Sequence, residues 1–442
     1  MELRNKTVSF ITLGCKVNQY ETDGMCHLLE QEGCIFVPEQ EKADIAIVNT
    51  CAVTNIASRK SRQMLHRVKK KNPDVILIAA GCYIQNVEQV LRELPEVDIF
   101  LGNNQKRHIA EFLKLYQKRQ DRQAHKIDIN HTSEYEEFSC IGSSGHTRAF
   151  VKIQDGCNQF CSYCIIPYVR GRVRSRKPSD ICAEAETLAA RGYRELVLTG
   201  IHISSYGSDF ETKCSLLTLL GKLHEIEGIE RIRLGSLEPG IITEEFVKKV
   251  SDMPKVCPHF HLSLQSGCDA TLKRMNRHYT TKQYKERCDL LRTYYSYPAL
   301  TTDIIVGFPG ETIREFEQTE KFLKELQFYE IHVFPYSIRE GTNAAKLPEQ
   351  VDGVEKKKRS ERLLTLTKEQ KKKFEQQFIG RKEQVLLEEQ VMIEGHCYLI
   401  GHTMHYVKLA VLSENGRDDI GSVRGVIIKK RLNEEYLLAD FS

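Results

Sequence analysis

Apolar runs and stretches of helical periodicity alternate over the first 115 residues. The apolar runs predict four strands, at residues 8–13, 44–48, 75–80 and 98–101. Segments with apolar positions spaced three and four apart predict helices between them, at 18–33, 54–71 and 87–94. Because helices between successive strands are typical of βαβ units, we expect an open parallel α/β sheet in an N-terminal domain, residues 3–115.

A change of composition follows at residues 116–146. The segment is charged near residues 117–123 and rich in glycine and serine at 142–145, which predicts a linker. A second series of strands begins beyond it, at 149–153, 195–198, 231–234, 260–264, 303–306 and 331–334. Six βα repeats favour a partial TIM-like barrel, residues 143–372, with functional residues at the carboxyl ends of its strands.

The end of the chain has a different pattern. A lysine-rich helix is predicted at 354–378, and four short alternating strands follow at 384–387, 397–400, 407–411 and 426–430. These predict a small all-β barrel, residues 375–441. The expected fold class is therefore α/β multidomain, with a parallel sheet, a partial (βα)6 barrel and a β-barrel in that order.

The composition of the chain indicates its cellular compartment but not its binding partner. The formal net charge is only +4, from 64 basic and 60 acidic residues, so charge alone does not indicate nucleic acid. The first residues lack the apolar core of a secretory signal, and no run of about 18 apolar residues is present. We expect a cytoplasmic protein without a membrane segment, in which clustered cysteines indicate metal or catalysis more often than disulfides.

One group of cysteines has ligand-like spacing. Cys157, Cys161 and Cys164 form a C-x₃-C-x₂-C motif directly after a predicted strand. Three thiolates this close can hold one face of a [4Fe–4S] cluster and leave one iron open for a ligand. Zinc is the alternative, but structural zinc usually takes four ligands and no fourth lies nearby.

A second group is visible only through the predicted topology. Cys15, Cys51 and Cys82 are 36 and 31 residues apart, and each ends a predicted strand. Since parallel strands present their carboxyl ends at one sheet edge, the three thiols should converge where open α/β sheets bind ligands. We interpret them as ligands of a second cluster. The alternative is three buried cysteines, which single cysteines often are.

These motifs resemble a known family, the radical S-adenosylmethionine methylthiotransferases. The resembling stretches are residues 12–21, 156–164, 263–267, 272–277, 302–312 and 334–342. The C-terminal segment is similar to a TRAM domain, a small RNA-binding barrel. Among three subfamilies, the run from Gly14 to Glu21 resembles the one that modifies threonylcarbamoyladenosine in tRNA. The other two modify isopentenyladenosine in tRNA and an aspartate of a ribosomal protein.

The resemblance implies a reaction and its cofactors. Two [4Fe–4S] clusters and S-adenosylmethionine would convert N6-threonylcarbamoyladenosine 37 of tRNA to its 2-methylthio derivative, with the chemistry at the clusters and no side-chain acid or base. One S-adenosylmethionine would give a methyl group, and another a 5′-deoxyadenosyl radical that removes the C2 hydrogen. The implied partners are a tRNA anticodon loop, an electron donor such as flavodoxin or ferredoxin, and a sulfur source. A non-enzymatic iron–sulfur RNA-binding protein is the rival hypothesis.

Further residues are candidates for contacts with the cofactor and RNA. Tyr163 would stack near adenine or pack in the core. The strand-end candidates for S-adenosylmethionine, each with a structural turn residue as the alternative, are Thr199, Gly200, Ser236, Glu238, Gln265 and Gly307. An alternating basic stripe predicts phosphate contacts, with a solvated charge run as the alternative; it comprises Arg170, Arg172, Arg174, Arg176 and Lys177.

Overall fold

The computed structural model describes residues 3–85, 87–138, 147–412 and 419–442. Its first part is a six-stranded parallel sheet with strand order β2-β1-β3-β4-β5-β6. The strands are β1 Thr7–Thr12, β2 Ile35–Phe36, β3 Ile45–Thr50, β4 Ile76–Gly81, β5 Ile99–Leu101 and β6 Gln123–His125. The helices are α1 Lys16–Gln31, α2 Asn55–Lys71, α3 Val87–Glu93 and α4 Ile109–Arg119. The predicted parallel α/β sheet is confirmed.

The sheet extends into the segment expected to be a linker. Helix α4 ends at Arg119, and β6 then pairs with β5. Farther on, Phe138 is buried against Tyr20 of α1. The linker prediction is therefore wrong for residues 116–138, because a three-residue strand carries too little periodicity to be recognised. The predicted flexible stretch 142–145 and the predicted boundary at 143 lie outside the described residues.

The central part is an open barrel of six parallel strands, as predicted. The strands are β7 Arg148–Lys152, β10 Glu195–Thr199, β11 Arg231–Leu234, β12 His259–His261, β13 Ala299–Val306 and β14 Glu330–Pro335. They form two three-stranded sheets, β11-β10-β7 and β12-β13-β14. Isolated parallel bridges between Ile232 and Val256 and between Leu237 and Leu262 join the two halves. A short antiparallel pair, β8 Gln154–Asp155 and β9 Arg174–Ser175, follows β7.

Helices cover the outside of this barrel and bury its apolar faces. They are α6 Pro178–Ala190, α7 Leu216–His224, α8 Glu244–Ser251, α9 Asp269–Arg274, α10 Thr281–Tyr294 and α11 Ile313–Leu326. The short helix α5 Ile166–Val169 packs instead against the core of the N-terminal sheet. Two of them, α10 and α11, begin with complete capping boxes, at Thr280 and Thr312. The largest hydrophobic core of the chain lies between these helices and the strands.

A long helix, α12 Gly353–Gln376, leads to a closed five-stranded barrel with strand order β15-β16-β17-β19-β18. The strands are β15 Lys382–Ile393, β16 His396–Thr403, β17 Lys408–Leu412, β18 Val423–Arg431 and β19 Leu437–Phe441. The predicted small β-barrel is confirmed, but the sequence missed its fifth strand, β19. No helix in the described ranges is long and apolar enough to cross a membrane.

The C-terminal barrel is held against the beginnings of the central strands by arginines. Arg231, the first residue of β11, donates to the carbonyl of His402 at 2.9 Å, and Arg233 donates to that of Met404 at 2.9 Å. The guanidinium groups of Arg148 and Arg233 both lie near the ring of Tyr406, with their centres 5.3 and 4.8 Å from its centroid. This interface combines cation–π contacts with hydrogen bonds to backbone carbonyls.

Candidate active site

The first cysteine group lies at one edge of the N-terminal sheet. Strands β1, β3 and β4 are neighbours, and Cys15, Cys51 and Cys82 follow their carboxyl ends within three residues. Gly14 precedes Cys15 with φ +104°, and a β-carbon there would lie 2.9 Å from the β-carbon of Cys51. The glycine therefore permits the first two cysteines to approach each other. The structure thus brings together the three cysteines that the topology predicted would converge.

The environment of these thiols suits a bound anionic cluster. Burial, together with the nearby sulfurs of Cys82 and Cys15, raises the pKa of Cys51 to about 11. The Cys82 sulfur accepts hydrogen bonds from Arg170 Nε at 3.2 Å and from Asn103 Nδ2 at 3.6 Å. Hydrogen bonds to cluster sulfurs tune iron–sulfur sites, and metal binding displaces thiol protons. The donor set therefore fits an iron–sulfur group.

The second group occupies a loop between β8 and α5. Gly156 begins it with φ +72°, and a β-carbon at this position would lie 1.8 Å from the carbonyl oxygen of Arg172. Burial, together with the nearby sulfur of Cys161, raises the pKa of Cys157 to about 11 and that of Cys164 to about 12. The sulfurs of this loop are therefore close enough to influence one another, and the thiols of Cys157 and Cys164 would be neutral without metal.

The loop that follows α9 supports this second group. Its Arg277 donates from Nη1 to the Cys161 sulfur at 3.2 Å, and the backbone N–H of Ser162 donates to the carbonyl of Met275 at 3.0 Å. Asn276 Nδ2 donates to the carbonyl of Phe160 at 3.0 Å. Sequence reasoning placed residues 272–277 in a resembling stretch but gave Arg277 no role. The arginine brings a positive charge to the cysteine loop from more than 100 residues away.

Glu238 follows the end of β11 and lies beside Arg277. It accepts from His202 Nε2 at 2.7 Å and lies 3.3 Å from Arg277 Nη2. Burial favours its neutral form, but the His202 hydrogen bond and the Arg277 charge lower the pKa of this carboxyl below its usual range. Glu238 and His202 line a cavity of about 380 Å³. A carboxylate facing a cavity is a suitable acceptor for ligand hydroxyl groups.

The other cofactor candidates occupy varied surroundings. Thr199 is buried at the end of β10, Gly200 follows it, and Ser236 is exposed after β11. Gln265 is buried with φ +70° and bridges to Ile304. Gly307 follows β13, where the stem of Lys356 packs against it. Tyr163 is half-buried beside the cluster of Met275, Phe308, Tyr336 and Ala344. Their contacts with S-adenosylmethionine stay predictions.

The predicted basic stripe is not one exposed face. Arg170, Arg174 and Arg176 are 0, 1 and 3% exposed, whereas Arg172 and Lys177 are exposed. The alternation argument assumed an extended segment, but Arg170 caps the end of α5 and only two residues pair as β9. The prediction that the three buried arginines contact phosphate is therefore wrong for this structure. Phosphate contact by the exposed Arg172 and Lys177 stays a prediction.

Arg170 instead joins the N-terminal sheet to the central barrel. Its Nη1 lies 2.7 Å from Glu21 Oε1 and 3.0 Å from Asp155 Oδ2, and its Nη2 donates to Asn18 Oδ1 at 2.7 Å. Lys152 is 2.8 Å from the same Glu21 oxygen and also pairs with Asp155. Burial opposes ionisation of Glu21, but the surrounding cations hold its pKa well below the usual range. A buried charge network thus reaches from Cys82 to the strand end before Cys157.

A larger cavity, of about 730 Å³, lies between the N-terminal sheet and the central barrel. Its lining includes Cys82 from the first group and Ile165, which follows Cys164 of the second. Arg59 and Arg62 of α2 and Arg339 from the loop after β14 also line it. Sequence reasoning singled out none of these arginines, because they are far apart in the chain and form no motif.

Comparisons with known proteins identify the class and then the family. Residues 151–323 match the model of the radical SAM superfamily, and residues 7–102 match that of uncharacterized protein family UPF0004. The fold is similar to a radical S-adenosylmethionine methyltransferase, TsrM, from Kitasatospora setae, with a TM-score of 0.55, 12% identity and coverage of 74% of this chain and 72% of that one. Fold and cysteine loop thus define a radical S-adenosylmethionine enzyme, a class that uses a [4Fe–4S] cluster and S-adenosylmethionine.

Two relatives narrow the family. The chain is 38% identical over 426 residues to threonylcarbamoyladenosine tRNA methylthiotransferase MtaB of Bacillus subtilis, covering 96% of this chain and 94% of that one. It is also 38% identical over 383 residues to a tRNA-2-methylthio-N(6)-dimethylallyladenosine synthase of Clostridium botulinum, covering 85% of each chain. The chain belongs to the radical S-adenosylmethionine methylthiotransferase family. The two relatives have different named substrates at equal identity, so identity does not separate the subfamilies.

Proposed function

We propose that this protein methylthiolates C2 of N6-threonylcarbamoyladenosine 37 in tRNA and uses two [4Fe–4S] clusters. Cys157, Cys161 and Cys164 would hold the cluster that binds S-adenosylmethionine, and Cys15, Cys51 and Cys82 would hold the auxiliary one. When bound, these groups supply the electron, the radical and the methylthio group. The observation that carries the proposal is that Cys15, Cys51 and Cys82 converge at one sheet edge, and that Arg170 joins Cys82 to Asp155, two residues before Cys157. Cys82 and Ile165, the residue after Cys164, both line the 730 Å³ cavity.

The protein's own residues prepare this place for chemistry on a base. Arg277 and Arg170 each present an N–H donor to one sulfur of a cysteine group, and hydrogen bonds of this kind tune an iron–sulfur site. The charge network around Glu21 ties the two cysteine-bearing parts together, so that their separation is held by buried ion pairs. A cavity between them can admit a base that has been unstacked from an anticodon loop, at a cost of only a few kcal/mol.

The character of the cavity favours threonylcarbamoyladenosine over isopentenyladenosine. The threonylcarbamoyl group ends in a carboxylate, whereas the isopentenyl group is apolar. Three arginines, Arg59, Arg62 and Arg339, line the cavity, against one acidic lining residue, Glu340, among the described residues. Charge complementarity therefore supports the anionic substrate. A ribosomal protein substrate has no comparable support. We propose three partners for this protein: tRNA, an electron donor such as flavodoxin or ferredoxin, and a sulfur source.

Nucleoside analysis tests the proposed reaction. The gene would be expressed in a bacterial host that makes both N6-modified adenosines but neither methylthio derivative, and digested tRNA would be analysed by mass spectrometry. We expect 2-methylthio-threonylcarbamoyladenosine to form. Formation of the isopentenyl derivative alone, or of neither, would overturn the substrate assignment.

Iron counts test the two clusters separately. From two independent cubanes we expect about eight irons in the reconstituted parent and about four each in Cys15→Ala and Cys157→Ala. Cys257→Ala, a buried cysteine in neither group, is the control and should keep all of them. Full iron in Cys15→Ala would exclude Cys15 as a required ligand, and only about four irons in the parent would exclude the auxiliary cluster.

A further inference from the structure

One wall of the 730 Å³ cavity is built from the beginning of α2 and the loop after β14. Asn55, the first residue of α2, joins them: its backbone N–H donates to Ser337 Oγ at 3.2 Å, and its side-chain oxygen accepts from Arg339 Nη1 at 3.0 Å. Asn55 therefore sets the position of the Arg339 guanidinium relative to the cavity. Both residues line that cavity.

The Arg339 guanidinium is only partly used by the protein. Its Nε is buried and has no hydrogen-bond partner within the described part of the chain. The bond to Asn55 engages Nη1, which points away from the edge formed by Nε and Nη2. That edge carries two parallel N–H groups with the spacing of a carboxylate's two oxygens. The buried N–H of Nε is therefore available to donate to a group that is not part of the chain.

The surroundings of this edge favour an anion. Arg62 also lines the cavity, although its Nη1 donates to Tyr83 Oη at 3.2 Å and it pairs with Glu93. Ser58 is 4% exposed, lines the same cavity, and its Oγ has no partner among the described residues. The wall is, in addition, the first two turns of α2, where the helix carries its positive partial charge. Ser58, Arg62 and Arg339 thus line the same cavity as Cys82.

We propose that the Nε–Nη2 edge of Arg339 binds the threonyl carboxylate of the target nucleoside and so selects this substrate. The inference rests on the proposed function and adds the residue that recognises the substrate. Two apolar lining residues of the same cavity, Ile165 and Val169, provide a surface for the base. An isopentenyl group would cover the buried Nε of Arg339 without accepting its hydrogen bond, which disfavours that substrate.

Binding measurements test the proposal without relying on turnover. Fluorescence anisotropy would compare the reconstituted full-length protein with three forms of one anticodon stem-loop, carrying threonylcarbamoyladenosine, isopentenyladenosine or unmodified adenosine at position 37. We expect the parent to bind the first form about tenfold more tightly than the other two, as one charged bidentate contact allows. Arg339→Gln should abolish this preference and leave the affinity for unmodified RNA unchanged, and Arg339→Lys should restore only part of it.

The control is Arg67→Gln, an exposed arginine on the same helix that does not line the cavity. It should keep the full preference. If Arg339→Gln does not fold, as judged by circular dichroism, Asn55→Ala provides the test: it keeps the arginine but removes its positioning contact, and it should reduce the preference.

Each remaining outcome separates this inference from the proposed function. An Arg339→Gln protein that keeps the tenfold preference would overturn the inference, and so would an equal loss on all three RNAs, since that indicates a phosphate contact. A parent without any preference that still makes 2-methylthio-threonylcarbamoyladenosine in the host would overturn the inference and leave the function standing. Failure of the host assay, with the preference intact, would overturn the function alone.

Discussion

Replacing Arg170 with methionine should destabilise the protein more than any exposed arginine substitution. The side chain is completely buried, and it makes four contacts, with Glu21, Asp155, Asn18 and the Cys82 sulfur. Methionine keeps much of the apolar stem but removes every donor. The two carboxylates would keep lysine partners, since Lys152 contacts both. Removing one partner from a buried ion pair costs about 3–5 kcal/mol, and we expect a loss near the lower end.

The assay is guanidinium denaturation of cluster-free protein at pH 7.5, followed by far-ultraviolet circular dichroism because the chain has no tryptophan. Arg172→Gln is the matched control: it is exposed, two residues away, and should change the free energy of unfolding by less than about 0.5 kcal/mol. Arg170→Lys should lie between the two, since an ammonium group keeps the charge but cannot span all four acceptors. If Arg170→Met and Arg172→Gln unfold at the same midpoint, the network does not hold the two parts together.

Two further predictions concern the C-terminal barrel and the radical-generating loop. Burial lowers the pKa of His405 to about 4, so the unfolded chain binds this proton from about pH 6.5 downward while the folded protein does not, and stability falls as pH falls. Between pH 7.5 and 5.5 this histidine alone should lower the free energy of unfolding by about 1.4 kcal/mol. Denaturation of His405→Phe should therefore show a correspondingly smaller pH dependence, with the exposed His396→Phe as the control. An unchanged pH dependence in His405→Phe would contradict the assignment. Gly156→Ala places a β-carbon 1.8 Å from a carbonyl oxygen at φ +72°, so it should displace the cysteine loop and lower the iron count from about eight to about four. The control is Gly353→Ala, whose β-carbon would have no atom within 4 Å and which should keep all the iron. Full iron in both variants would refute the steric argument.

Local patterns were sufficient for much of the architecture. Periodicity predicted the parallel sheet, the six barrel strands and the C-terminal β-barrel, because the apolar residues of a buried face recur with the period of the helix or strand that carries them. The loop from Cys157 to Cys164 needed only spacing, since its three thiols lie within eight residues. Cys15, Cys51 and Cys82 needed one further step, which was that neighbouring parallel strands end at a common edge.

Contacts between distant segments were beyond such reasoning. The basic stripe was predicted to be exposed, but alternation along the chain does not show which distant residues pack against a side chain. Glu21 and Asp155 pair with Arg170 and bury it. Arg277 reaches the Cys161 sulfur across 116 residues, and the cavity beside Cys82 joins α2 to a loop that begins more than 260 residues later. The cysteines are therefore predictable from the chain, whereas the charges that surround them depend on which segments the tertiary structure packs together, because electrostatic partners are chosen by distance in space and not along the chain.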